Sequence, residues 1–330
     1  MAATEEQVSA AWETKFLGEF AGRGAILQPH ELAAQVARTA PCEPCPAQHL
    51  PSRPQLLEEL SDAAARTSIG TAMGDDQVPS EVFRAAGLGY MRCLAHVAHA
   101  AMRDAVPAGW RTGIMAPVPK KPGPLTLANS RGILCSSQPG KLLARCCRTR
   151  LAGALALACP GRQHGAISGG GTEFPRMATS LFLAHAAALG CSVAVIFTDL
   201  KAAFYTIAAE LAVGLVHGPE HLVRYCGAAG IVGADADIMQ RRVLEARDVL
   251  ASRGVPPAWC RLAADWHRCA SFHVRGSQRS VVPMSGTRPG DPAADAVFAL
   301  AFARFSGRPA GGAPGARPGP PAAWRPGGHL

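Results

Sequence analysis

The spacing of apolar positions changes several times along the chain, and each change predicts an element. From Glu5 to Phe20 the apolar residues recur at helical intervals, so an amphipathic helix is predicted there. A Pro/Cys-rich loop follows over Pro41–Pro54, then a helix over Leu56–Ala65. Turn chemistry in Gly70–Pro79 leads into a helix opening near Ser80, with Glu81 in its first turn, and helix continues through Tyr90–Ala105. From Trp110 the period drops to two. Ile114, Ala116 and Val118 alternate as a strand, Lys120-Lys121-Pro-Gly-Pro turns, and Arg131-Gly-Ile-Leu-Cys returns as a second strand. Lys141 to Ala158 is the clearest helix. Leu143, Cys147, Leu151 and Leu155 form its apolar stripe, with Lys141, Arg145 and Arg148 on the opposite, wet face. The glycine-rich loop Gly165–Gly171 precedes another helix through Ala188.

Leu181 to Phe197 is nearly continuous in apolar residues, but Gly190 interrupts it and His185 lies inside it. It reads as helix, turn and buried strand, not as a membrane span. That strand, Val195-Ile-Phe-Thr, runs into Asp199. A carboxylate at the tip of a buried strand is costly unless a cation or basic partner compensates it. Residues 208–270 read as mainly helical, Ser271–Arg275 and Ser280–Met284 as a short hairpin across Gly276-Ser277, and Gly286–Pro292 as the turn into a last helix. In that helix Val297 aligns with Ala301, and Phe298, Phe302 and Phe305 share a face. The last 24 residues hold seven Gly and six Pro, a composition that predicts a disordered tail.

Charge sharpens this picture. Net charge is +9, and no acidic residue lies between Asp104 and Glu173. That interval carries Arg111, Lys120, Lys121, Arg131, Lys141, Arg145, Arg148, Arg150 and Arg162, a block of one sign that attracts polyanions. The N-terminus shows neither a basic n-region nor an apolar h-region, so the cysteines read as reduced thiols of an intracellular protein. Cys42-Glu-Pro-Cys45 has no second pair at zinc spacing. Cys93, His96 and His99 share a helical face, yet a core or surface role is the simpler reading for both sets. Gly140-Lys141 is not a phosphate loop, because the GxxxxGK[ST] spacing is absent and Leu142 replaces the hydroxyl.

Seven of these pieces, in this order, resemble the reverse transcriptase domain of non-LTR retrotransposons and group II intron-like elements. They are Gly74–Glu81, Trp110–Lys121, Asn129–Leu134, Gly140–Arg145, Gln163–Gly165 with Gly171-Thr172, Phe197–Phe204 and Gly286–Pro292. The resemblance covers about residues 70–305. It implies an α+β, helix-rich fold, the fingers and incomplete palm of a right-hand polymerase with a disordered C-terminal tail. The implied division is a partly disordered leader (1–60), a helical lead-in (61–108), fingers and partial palm (109–305) and the tail (306–330).

The implied activity is template-directed nucleotidyl transfer by two-metal chemistry, with an RNA template, a DNA primer and deoxynucleotides as partners and no membrane. Asp199 would hold Mg²⁺ with the Leu200 carbonyl. Phe204 would crowd a ribose 2′-hydroxyl. Lys120, Lys121 and Arg131 would cradle the triphosphate, and Gly290 would let the backbone approach nucleotide and template. Lys141, Arg145 and Arg148 would track template phosphates. Tyr205 stands where many relatives carry a second aspartate. The Asp-Asp hairpin that follows the palm helix in the family is not found, and the sole Asp-Asp pair, Asp75-Asp76, lies far upstream. Catalysis by this chain alone is therefore expected to be incomplete. The alternative is a non-catalytic RNA- or DNA-binding protein of retroelement origin. A nuclear location would follow from family habit alone.

Overall fold

The first helix is capped from its own sequence. Thr4 Oγ1 accepts from the Gln7 amide at 3.3 Å, and Gln7 Oε1 accepts from the Thr4 amide at 3.0 Å. The computed structural model describes residues 4–20, 24–39, 43–158, 164–167, 169–216 and 218–306. The expected tail, Arg162, Gln163 and Cys42 lie outside these residues.

Among the described residues the order is α1 (Glu5–Glu19), β1 (Gly24–Leu27), α2 (Pro29–Arg38), α3 (Arg53–Ala65), α4 (Ser80–Ala85), α5 (Leu88–Arg103), α6 (Ala108–Arg111), β2 (Gly113–Pro119), β3 (Ser130–Ser136), α7 (Gln138–Ala158) and α8 (Glu173–Ala188). Then come α9 (Ala203–Thr206), α10 (Glu210–Val213), α11 (Pro219–Ala228), α12 (Ala234–Leu244), α13 (Ala246–Ser252), α14 (Pro257–His267), β4 (Ser280–Pro283) and α15 (Ala294–Ser306). The class is α+β and helix-rich, with two small antiparallel sheets, β1–β4 and β2–β3.

Most of the core is helical. The predicted stripe of α7 is buried throughout, with Leu143, Leu151 and Leu155 fully enclosed. Each such leucine contributes about 1.5–3 kcal/mol by leaving water. These side chains belong to the core that α7 shares with α3, α14 and α15. A second, smaller cluster holds Phe16, Phe20, Met115, Leu134, Tyr205, Phe272, Val274 and Val281. Thus α1, expected within a poorly constrained leader, is instead the aromatic plug of the β2–β3 hairpin. Its Glu13 is wholly buried and pairs with Arg279 at 2.5 Å. The leader also supplies β1, which takes β4 as its partner. The expected 271–284 hairpin is reduced to one bridge, Phe272 to Val281.

The β2–β3 register pairs Ile114 with Cys135 and Val118 with Arg131. Met115 points its amide away from this ladder, to His273 O at 2.9 Å. Alternation then directs positions 117 and 119 to the same outer edge, and both are proline. Residues without an N–H sit where that N–H would face an open edge, which discourages pairing with another chain.

Candidate functional site

The outer edge of β3 is where distant segments converge. Leu134 donates its amide to Pro289 O at 2.7 Å, and the Tyr205 hydroxyl donates to Gly132 O at 2.6 Å. The same two segments bind each other. The Thr287 amide donates to Phe204 O at 2.8 Å, the Gly286 amide to Ile207 O at 2.8 Å, and Ser285 Oγ to Tyr205 O at 2.8 Å. Three motifs far apart in sequence, the basic hairpin, the end of the Asp199 segment and the Gly286 turn, thus form one hydrogen-bonded unit. Gly290 makes the contact possible: φ is +104°, and a Cβ there would lie 2.7 Å from Leu134 O. In this structure it admits the backbone of β3. Gly74 acts similarly, since a Cβ would lie 2.4 Å from Ser136 C and O.

The cations of the hairpin lie at its tip. Lys120, Lys121 and Arg131 are exposed. Asn129 closes the intervening loop by accepting from the Lys121 amide and donating to Lys121 O, both at 3.1 Å. Arg131 Nη2 donates to Lys120 O at 3.3 Å, and the Lys120 ammonium stands 3.6 Å from Glu19. Side chains this exposed retain most of their hydration and can exchange partners for a ligand phosphate.

Phe204, 39% exposed, packs its ring 4.8 Å from that of Phe298. Tyr205 is buried, and burial together with nearby Glu19 raises its phenol well above the usual range. At this position a tyrosine anchors β3, a contact an aspartate could not donate. In the Gly286 turn Asp291 faces inward. It accepts from Trp266 Nε1 at 3.1 Å and from the Ala293 amide at 3.0 Å, so it caps the last helix. Arg288 is buried beside it, 3.5 Å away, and donates to Trp110 O and Trp266 O.

Asp199 departs from expectation. Ser192 to Leu200 has no regular secondary structure, and Asp199 is exposed within it. Ile196 is 84% and Phe197 86% exposed. The expected buried strand is absent because nothing pairs with it: β3 gives its outer edge to Tyr205 and Pro289, and β2 gives part of its own to His273. An unpaired strand leaves its amides and carbonyls to water. Among the described residues no group of three or more His, Cys, Asp and Glu side chains could hold a metal ion. Asp199 and the Leu200 carbonyl would supply two oxygen donors, and Mg²⁺ held there would complete its shell with water and phosphate oxygens.

The α7 cations also differ from expectation. They do not line a free wet face. Lys141 Nζ donates to Ala72 O at 3.0 Å, and burial lowers its pKa. Arg145 bonds Ala63 O at 3.3 Å and Thr67 Oγ1, and burial lowers its pKa too. Arg148 grips Asp295 with Nε and Nη2 at 3.0 and 2.6 Å. They tie α7 to the 72 loop, α3 and α15. The Asp75-Asp76 pair is likewise structural. Asp76 Oδ2 accepts from the Gln138 amide at 2.9 Å, capping α7 from 62 residues away, and Asp75 pairs with His273 at 3.2 Å.

Sequence reading missed a buried polar centre behind the Gly286 turn. A cavity of about 50 Å³ is lined by Glu210, His221, His267, Ser271 and Arg288, among others. Glu210 and His221 approach to 3.7 Å. Burial lowers the His267 pKa, and the Arg288 charge lowers it further. Glu210, His221 and His267 come from three different helices and Ser271 and Arg288 from the loops between elements, with no motif to link them. No protein-family model matches the chain, and no curated protein matches it.

Proposed function

We propose that this chain is a nucleic-acid-handling module built on the fingers and part of the palm of a reverse transcriptase, incomplete for nucleotidyl transfer by itself. The observation that carries this reading is the joining of the Phe204–Ile207 turn, the basic hairpin and the Gly286–Gly290 turn into one hydrogen-bonded unit. In a polymerase of this kind these segments must stand together around an incoming nucleotide. Lys120, Lys121 and Arg131 are the groups that would meet phosphate, since their charges are exposed at the hairpin tip. Lys141, Arg145 and Arg148 are engaged within the protein and are not part of this proposal. Asp199 alone supports no two-metal chemistry, so binding without turnover is expected.

A primer-extension assay with Mg²⁺ and deoxynucleotides tests this reading. No template-dependent incorporation is expected, and incorporation abolished by Asp199→Ala would overturn the claim of incompleteness. In a companion titration, single-stranded RNA and DNA should bind, and bind less tightly as salt rises. Replacing Lys120, Lys121 and Arg131 together by Ala should reduce the magnitude of the log–log salt slope by about 2–3. An unchanged slope would remove the hairpin from the binding surface.

A further inference from the structure

Beside the Asp199 segment lies an apolar slot of about 230 Å³. Ile207, Leu211, Ile231, Phe298 and Phe302 line it, and so does Leu200 at the end of the exposed segment. Phe298, Phe302, Ile207 and Ile231 are only partly buried. The Phe298 and Phe302 rings lie 6.0 Å apart and nearly parallel, presenting one apolar face. A few residues upstream of Leu200, Ile196 and Phe197 carry their side chains into water. Unfilled apolar surface and exposed apolar side chains therefore sit on the same short tether.

We propose that Ser192–Leu200 is a strap that lies back across this slot as an extended strand, with Ile196 docked beside Leu200. Four residues of extended chain span at most about 13–14 Å, so Ile196 can reach the slot while Leu200 stays in place. The Ser192–Leu200 stretch has no helix or ladder to break first. Parity selects the side chain. In a strand, positions i, i+2 and i+4 share a face, so Ile196 and Thr198 turn inward with Leu200. Phe197 and Asp199 then lie on the outer face. Docking would hold the Asp199 carboxylate at a defined place on the solvent side, where the undocked strap lets it wander. This inference does not rest on the nucleotide-handling reading.

The test uses the full chain labelled with 5-fluorotryptophan, with Ile196→Trp and Phe197→Trp made separately. Both positions are exposed, so neither substitution removes packing needed for folding. Each added fluorine resonance is read for broadening by a soluble nitroxide. Several-fold weaker broadening is expected at position 196 than at 197, and adding Phe302→Ser or Ile231→Ser to Ile196→Trp should erase the difference. Equal broadening at the two positions, or the reverse order, would overturn the strap. Protection at 196 that grows with protein concentration would assign the slot to a second copy and also overturn it. No nucleic acid or Mg²⁺ enters the measurement, so its failure is separate from that of the proposed function.

Discussion

At the scale of single residues, burial separates charges that hold the molecule together from charges free to act. Asp265 is wholly enclosed, accepts from the Val106 amide at 2.5 Å and pairs with Arg268 Nε at 2.6 Å. Removing it strands a buried guanidinium, so Asp265→Ala should lower unfolding free energy in urea by about 3–5 kcal/mol. The Arg148–Asp295 pair is more than a third exposed on each side, and Arg148→Ala should cost no more than about 1 kcal/mol in the same assay. His267 yields a pH prediction. Its folded-state pKa lies below the ordinary histidine value, so the unfolded chain binds a proton more readily. Its stabilising effect is complete above about pH 6.5 and is lost as pH falls below it, by at most about 1.4 kcal/mol per unit. His267→Gln should flatten the stability profile between pH 6.5 and 5, as read from urea midpoints.

At the scale of elements, the contact between β3 and the Gly286 turn depends on backbone approach. Gly290→Ala puts a methyl 2.7 Å from Leu134 O at a φ of +104°. A loss of at least about 1–3 kcal/mol is expected from the strained backbone, with the clash added, measured by chemical denaturation. The hairpin, the α7 stripe and the last helix were legible in the chain because their periodicity reports their own buried faces. The strand leading to Asp199 was misread for the opposite reason. Val195-Ile-Phe has strand character, but a strand exists only with a partner, and local sequence does not say whether a sheet edge is free. The α7 cations were misread because helical spacing shows which residues share a face, not what covers that face.

For the molecule as a whole, burial decides which thiols react. Burial pushes the Cys146 thiol up to about 12 and raises those of Cys45, Cys135, Cys147, Cys226 and Cys260. Cys93 and Cys191 are the exposed cysteines among the described residues. Iodoacetamide labelling of the native chain, mapped by mass spectrometry, should modify these two far faster than the buried set; equal labelling in urea checks that folding is the cause. Among the described residues no helix is long and apolar enough to cross a membrane. The positive block between Asp104 and Glu173 looks uniform in sequence, yet the fold divides it. Among the described residues Arg111, Lys141, Arg145, Arg148 and Arg150 hold partners within the protein, whereas Lys120, Lys121 and Arg131 at the hairpin tip are exposed.

Sequence alone determined α1, α3, α5, α7, α8 and the last helix, the basic hairpin and the turn before the last helix, because each is specified by side-chain periodicity or by glycine and proline within a few residues. Tertiary structure alone decided that the N-terminal helix plugs the hairpin, that Asp76 caps α7, and that Asp199 stands in water. Those outcomes depend on which surfaces meet across 60 to 270 residues of chain, and contact over that distance leaves no local pattern to read.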